Sequence, residues 1–106
     1  MKMVDGMKDN LRFDKNENVE HASQILNLTI PKDYCFSGYT SGFDEDTGDV
    51  LIFIPWEWFP EELLPTLRKN WNEAGFEISE ERFANSREYF HVGFHSRFFR
   101  LKNQKQ

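Results

Sequence analysis

Five consecutive apolar residues, Val50 to Ile54, form the longest hydrophobic run of the chain. Strand-favouring side chains dominate this run and Pro55 closes it, which predicts a central strand that is buried on both faces. The residues that follow, Trp-Glu-Trp-Phe at 56–59, are too apolar for an ordinary loop. We therefore expect them to border the working surface of the protein.

The first 17 residues of the chain show little apolar periodicity. Residues 1–17 have the composition of a weakly packed tail, in which Leu11 and Phe13 are the sizeable apolar anchors. Apolar residues then recur at helical spacing, which predicts a helix over 19–28. Asn18 is the predicted N-cap of this helix.

Aromatic and small hydroxyl residues at 34–43 predict the strand that precedes the central one, with a bulge at Gly38. The acidic residues of 44–49 then predict a turn, so that the two strands form a hairpin. The single cysteine, Cys35, lies among aromatic residues and is expected to be a buried, unreactive thiol.

A second helix is predicted after the central strand. Pro65 favours a short turn over 60–64 followed by a helix over 65–74, because a proline inside a helix removes a hydrogen bond and restricts the preceding residue. Gly75 is the expected C-terminal cap. The helix should lie on the sheet with one apolar face, formed by Leu64, Leu67, Trp71 and Ala74.

Two further strands are predicted, at 76–79 and 88–101, whereas 80–87 fits a charged turn, a strand extension or one helical turn equally well. The last strand alternates clearly. One face carries Phe90, Val92, Phe94 and Phe98, and the opposite face carries Tyr89, His91, Gly93, His95 and Arg97.

The order helix, strand, strand, helix, strand, strand predicts a single two-layer α+β domain over 18–106, after the tail at 1–17. Its sheet should be mainly antiparallel, with the helices packed on one face. Among its 106 residues are eleven Phe, three Tyr and three Trp, so the core should be aromatic.

The net charge of −5 argues against direct nucleic-acid binding and favours basic partners. We expect a cytoplasmic protein that does not insert into membranes, because no signal-like region follows Met1 and no apolar run approaches membrane-spanning length.

The charge is unevenly distributed along the chain. Residues 33–67 contain no lysine or arginine, and residues 89–106 contain no acid. Turns and helix starts favour acids for local reasons, but an acidic surface beside exposed tryptophans would also suit a basic partner. The candidate partner-binding residues are Asp44, Glu45, Asp46, Asp49, Trp56, Glu57, Trp58, Glu61 and Glu62.

No cofactor or metal motif is evident. The acidic turn does not fit the EF-hand pattern, because the closing glutamate would fall near Pro55 and strands flank the turn. His91 and His95 would lie about 13 Å apart on a strand, too far to share one ion. No serine or cysteine has a recognisable catalytic base, so no catalytic residue is predicted.

Three hypotheses follow. The first is a protein-binding module, such as an inhibitor or immunity-type protein, that binds a basic macromolecular target. The second is a small enzyme or ligand-binding domain with a pocket on the open face of the last strand, formed by Tyr89, His91, His95 and Arg97. The third is a homodimeric structural subunit whose sheet face a second copy covers.

Overall fold

A computed structural model describes residues 11–13, 16–33, 38–55, 59–84 and 96–103. Five strands form one antiparallel sheet in the order β1-β2-β3-β5-β4. The strands are β1 (Leu11–Arg12), β2 (Thr40–Asp44), β3 (Val50–Pro55), β4 (Phe76–Ala84) and β5 (Ser96–Asn103).

Two helices, α1 (Glu17–Thr29) and α2 (Leu64–Glu73), pack on one face of this sheet, and a 3₁₀ turn at Glu61–Leu63 leads into α2. This arrangement confirms the predicted α+β class and the order of the elements. The strand β1 is an addition: Leu11 and Arg12, predicted to be part of the tail, pair with Asp44 and Phe43 of β2.

The central strand β3 is buried along its whole length, as its apolar run predicts. Ile52 and Phe99, which face each other across β3 and β5, belong to the core between the sheet and the helices. Trp71 of α2 completes this core: its indole Nε1 donates a hydrogen bond of 3.0 Å to the carbonyl of Ala22, and its ring packs edge-on against Phe99.

The centre of the opposite face of the sheet is also buried in a single copy of the chain. Leu51, Phe53 and Phe98 point away from the helices, yet each is at most 3% exposed. The rings of Phe53 and Phe98 lie 5.0 Å apart. Since β5 is buried on both faces, alternation of polarity along it cannot identify the face that the helices cover.

The predicted cap of α1 is wrong. The structure caps the helix with Asn16, whose Oδ1 accepts a hydrogen bond of 2.8 Å from the backbone nitrogen of Val19. Asn18 lies in the first turn instead, where its Oδ1 accepts a bond of 2.6 Å from Asn103. Both asparagines suit an N-cap, and in the structure Asn16 caps the helix while Asn18 is bonded to β5.

The strand β4 continues to Ala84, which resolves most of the segment that the sequence pattern leaves open. A bulge between Ile78 and Glu80 interrupts the alternation of this strand. Before the bulge Phe76 and Ile78 face the helices, and after it Glu81 and Phe83 do. A period-two pattern cannot cross such an irregularity, so the pattern predicts a strand over 76–79 only.

Strand β2 begins at Thr40, whereas the predicted strand begins at residue 34, and residues 34–37 lie outside the described residues. Gly38 precedes it with a φ of 129°, so the expected bulge is not within the strand. Cys35 and residues 88–95 of the predicted last strand lie outside the described residues. None of the described helices has the length and apolar character that crossing a membrane requires.

Candidate functional site

Charged residues at the start of β3 form a group that we call the hairpin-tip cluster: Asp44, Asp49, Glu80, Arg100 and Lys102. Arg100 Nη1 lies 2.8 Å from Asp49 Oδ2 and 3.2 Å from Asp44 Oδ2, and its Nε lies 3.6 Å from Glu80 Oε1. Lys102 Nζ approaches Asp49 Oδ2 at 3.0 Å. The two aspartates are buried, so their charges are compensated inside the protein.

The turn between β2 and β3 explains why these aspartates point inward. Asp44 Oδ1 accepts hydrogen bonds from the backbone nitrogens of Asp46 and Thr47, which fixes an Asx-type turn. Gly48 has a φ of 81°, which is favourable for glycine, and its nitrogen bonds to the carbonyl of Asp44. The turn thereby places both carboxylates beside β5.

The environment of Asp49 shifts its pKa. Burial opposes ionisation, but hydrogen bonds from Arg100, Lys102 and Thr47 outweigh it, so the pKa of Asp49 lies below its ordinary value of 3.8. Arg100 is also desolvated, and its bonds to Asp49 and Asp44 nevertheless raise its pKa. Asp49 and Arg100 therefore stay charged at neutral pH.

A second group lies at the opposite end of β3 and β5, next to the start of α2. We call it the helix-start cluster: Glu61, Arg68, Glu81, Phe83 and Arg97. Arg97 Nη1 lies 3.3 Å from Glu81 Oε2, and its Nη2 lies 3.4 Å from Glu61 Oε2. The guanidinium also covers the ring of Phe83, 4.6 Å from its centroid. Arg97 thus connects β4, β5 and the 3₁₀ turn.

Glu81 is the hub of the helix-start cluster. It accepts two hydrogen bonds from Arg68, of 2.9 Å and 2.6 Å, in a bidentate arrangement. These bonds outweigh its partial burial, so the pKa of Glu81 lies below its ordinary value of 4.5. The same pairing raises the pKa of Arg68. Glu61 differs from Glu81, because 74% of its side chain is exposed.

The structure separates the predicted acidic residues into two places. Asp44, Glu45, Asp46 and Asp49 lie at the start of β3, whereas Glu61 and Glu62 follow its end, about 17 Å away along the strand. Within the turn, Glu45 and Asp46 are exposed, and Glu45 pairs with Arg12 at 2.8 Å.

Of the alternative pocket, the structure describes Arg97 alone. Arg97 lies opposite Ile54, on the helix-covered face rather than on the open face that we expected. The remaining predicted site residues, which lie outside the described residues, are Trp56, Glu57, Trp58, Tyr89, His91 and His95.

Most lysine and arginine side chains among the described residues form ion pairs with carboxylates of the same chain. Lys32 is the exception; the paired ones are Arg12, Arg68, Lys69, Arg82, Arg97, Arg100 and Lys102.

Among the described residues, several acidic side chains have no cation within 4 Å. All of them are exposed: Glu17, Glu20, Asp33, Asp46 and Glu62. The exposed, uncompensated charge of the described surface is therefore negative.

Two shallow clefts border these clusters. One, of about 400 Å³, lies between Arg68 and Asn72 of α2 and residues 77–81 of β4. The other, of about 380 Å³, lies between the hairpin turn, Lys102 and Asn103. Neither is lined by a histidine or a cysteine, and within the described ranges no group of such residues and acids is arranged to hold a metal ion.

Sequence reasoning missed Arg100, Glu81 and Phe83 as members of these clusters. The signal for Arg100 was present, because a segment without bases and a segment without acids form adjacent strands and neutralise each other. We interpreted that asymmetry as complementarity to another molecule. The signal for Glu81 and Phe83 was hidden by the bulge, which shifts both residues to the helix-covered face.

Comparisons of the chain with known protein families, with curated proteins and with solved structures found no match.

Proposed function

We propose that the protein is a small protein-binding module that recognises a basic surface on another protein, as an inhibitor or immunity-type protein would. The observation that carries this proposal is the imbalance among exposed charges. Almost every described cation is within ion-pair distance of a carboxylate, while exposed acids such as Asp46 and Glu62 are left without one. Such a surface attracts a positively charged partner and repels acidic ones.

Burial of the hairpin aspartates changes which residues serve recognition. Asp44 and Asp49 are compensated by Arg100 and Lys102, so in this proposal they hold the turn in shape. Contact with the partner falls to the exposed acids. A cytoplasmic location belongs to the same proposal.

The two alternative hypotheses gain less support. A homodimer through the sheet face would need apolar surface there, but Leu51, Phe53 and Phe98 are already covered in one copy. Arg97, which the structure describes among the residues of the predicted pocket, forms ion pairs with Glu81 and Glu61, and this weakens the pocket hypothesis. We therefore propose no second function.

Fluorescence anisotropy with a dye-labelled peptide of alternating arginine and glycine tests the proposal. We expect binding at low ionic strength and a severalfold loss of affinity between about 0.05 M and 0.3 M salt, because screening weakens attraction between exposed charges. A peptide of alternating glutamate and glycine is the matched control. Equal binding of both peptides, or no binding of the arginine peptide, would overturn the proposal.

A further inference from the structure

The two ends of β3 each offer one exposed, unpaired acid and one exposed aromatic ring. At the hairpin end these are Asp46 and Phe13, and at the helix-start end they are Glu62 and Phe83. The ends differ in how the ring is presented. Phe83 is 55% exposed and Phe13 38%, and the structure links Phe83 to an exposed carboxylate.

That link runs through Arg97. Its guanidinium covers the ring of Phe83, and the same group bonds to Glu81 and to the exposed Glu61. The Arg97 side chain is 16% exposed, so this cation is largely covered and its charge is shared by two carboxylates. The cluster therefore presents outward an aromatic surface and carboxylates rather than a positive charge.

A ring held in this way is suited to binding. Ordering a side chain on association costs free energy, and a ring already fixed by a cation and two ion pairs has less freedom to lose. Arginine and lysine side chains favour the faces of aromatic rings, and their charged ends favour carboxylates. Phe83 and Glu61, which Arg97 joins, offer both kinds of contact, and Glu62 is the next residue of the 3₁₀ turn.

We propose that Phe83, Glu61 and Glu62 form the contact surface for an arginine- or lysine-bearing segment of the partner protein. This inference rests on the proposed function and locates it at the helix-start end of the sheet. The cationic side chain packs on exposed surface of Phe83, while its charge is met by Glu61 and Glu62. Arg97 is a positioning residue that holds the ring.

Paired variants at the two ends of β3 test this location with the arginine–glycine peptide. We expect Phe83→Ala and Glu62→Lys each to weaken binding about fivefold or more, since one cation–aromatic or charge contact has this magnitude. The matched variants Phe13→Ala and Asp46→Lys remove the same chemistry at the hairpin end. They should change the affinity less than twofold.

Phe83→Leu keeps an apolar side chain but removes the ring, and it replaces Phe83→Ala if that variant does not fold by circular dichroism. We expect the same loss of affinity, because leucine has no aromatic face. The location is refuted if Phe13→Ala and Asp46→Lys weaken binding more than their counterparts, or if loss of the Phe83 ring has no effect. In either case salt-sensitive binding by the unmodified protein would still support the proposed function.

Discussion

The hairpin-tip cluster and the helix-start cluster each contain an arginine paired with two carboxylates, but water reaches these carboxylates to different degrees. At the hairpin tip, Asp44 and Asp49 are buried and Arg100 lies between them. At the helix start, Glu61 and Phe83 are mostly exposed around a covered Arg97. Removing one partner of a buried ion pair leaves an uncompensated charge, whereas an exposed charge is rehydrated at little cost. The first cluster should therefore determine stability and the second recognition.

The largest effect is expected for Arg100→Met, which keeps an unbranched apolar stem and removes the guanidinium. Asp44 would lose its described ion-pair partner while remaining buried, and Asp49 would keep only Lys102. We expect the free energy of unfolding, measured in urea, to fall by about 3 kcal/mol. Arg12→Met is the control: its pair with Glu45 is half exposed, so the loss should stay below about 1 kcal/mol. Similar losses in both variants would contradict the structural role of the hairpin-tip cluster.

A second effect at the hairpin end concerns Gly42. A β-carbon at this position would overlap the carbonyl oxygen of Arg12, so Gly42→Ala should displace β1 from β2. We expect a loss of about 2 kcal/mol in the free energy of unfolding, together with faster amide hydrogen exchange at Arg12 and Phe43, which pair across β1 and β2.

Gly48→Ala is the matched control for Gly42→Ala. Its β-carbon would meet open space, so the cost is limited to the strain of its positive φ, about 1 kcal/mol. Exchange near Arg12 should not change in this variant. If Gly42→Ala left that exchange unaltered, close packing of β1 on β2 would not be the reason for glycine at position 42.

A smaller loss is expected for Arg97→Met at the helix-start cluster. Glu81 keeps its two hydrogen bonds from Arg68, and Glu61 is already exposed to water. We therefore expect a loss of about 1 kcal/mol in urea denaturation. A loss as large as that of Arg100→Met would contradict the claim that the hairpin-tip cluster contributes more to stability than the helix-start cluster.

The dependence of stability on pH tests the contribution of the ion pairs of Asp49 and Glu81. The pKa values of Asp49 and Glu81 lie below their ordinary values of 3.8 and 4.5, so their ion pairs stabilise the fold above this range. Stability should then fall as the pH decreases below about 4.5, because the unfolded chain takes up protons first. In Arg100→Met the fall should be shallower, because the strongest bond that lowers the pKa of Asp49 is lost. Urea denaturation at pH 7, 5 and 3 measures both slopes, and a steeper fall in the variant would contradict this account.

Local signals predicted much of the fold. The five-residue apolar run became a buried strand, and Pro65 with Gly75 bounded the second helix almost as expected. The predictions failed where two neighbouring residues suit the same role or where a bulge interrupts the alternation of a strand. Asn16 and Asn18 both suit an N-cap, and the bulge after Ile78 hides the rest of β4.

The candidate site was less predictable than the fold. Glu61 and Arg97 were assigned to different hypotheses, yet their side chains meet at 3.4 Å, across 36 positions of the chain. Asp49 and Arg100 are 51 positions apart and share a hydrogen bond of 2.8 Å. Contacts of this kind depend on strand order and register, which local patterns do not specify.

Periodicity and composition along the chain specify the α+β class, the element order and the separation of acids from bases, whereas the core that the described residues form contains more aliphatic than aromatic side chains. The role of each acid depends on the tertiary structure. By pairing β3 with β5 it brings Arg100 and Lys102 to the hairpin aspartates and leaves Asp46 and Glu62 facing water. Burial and the distance to an opposite charge separate a structural carboxylate from a recognition carboxylate, and both arise only when distant segments pack together.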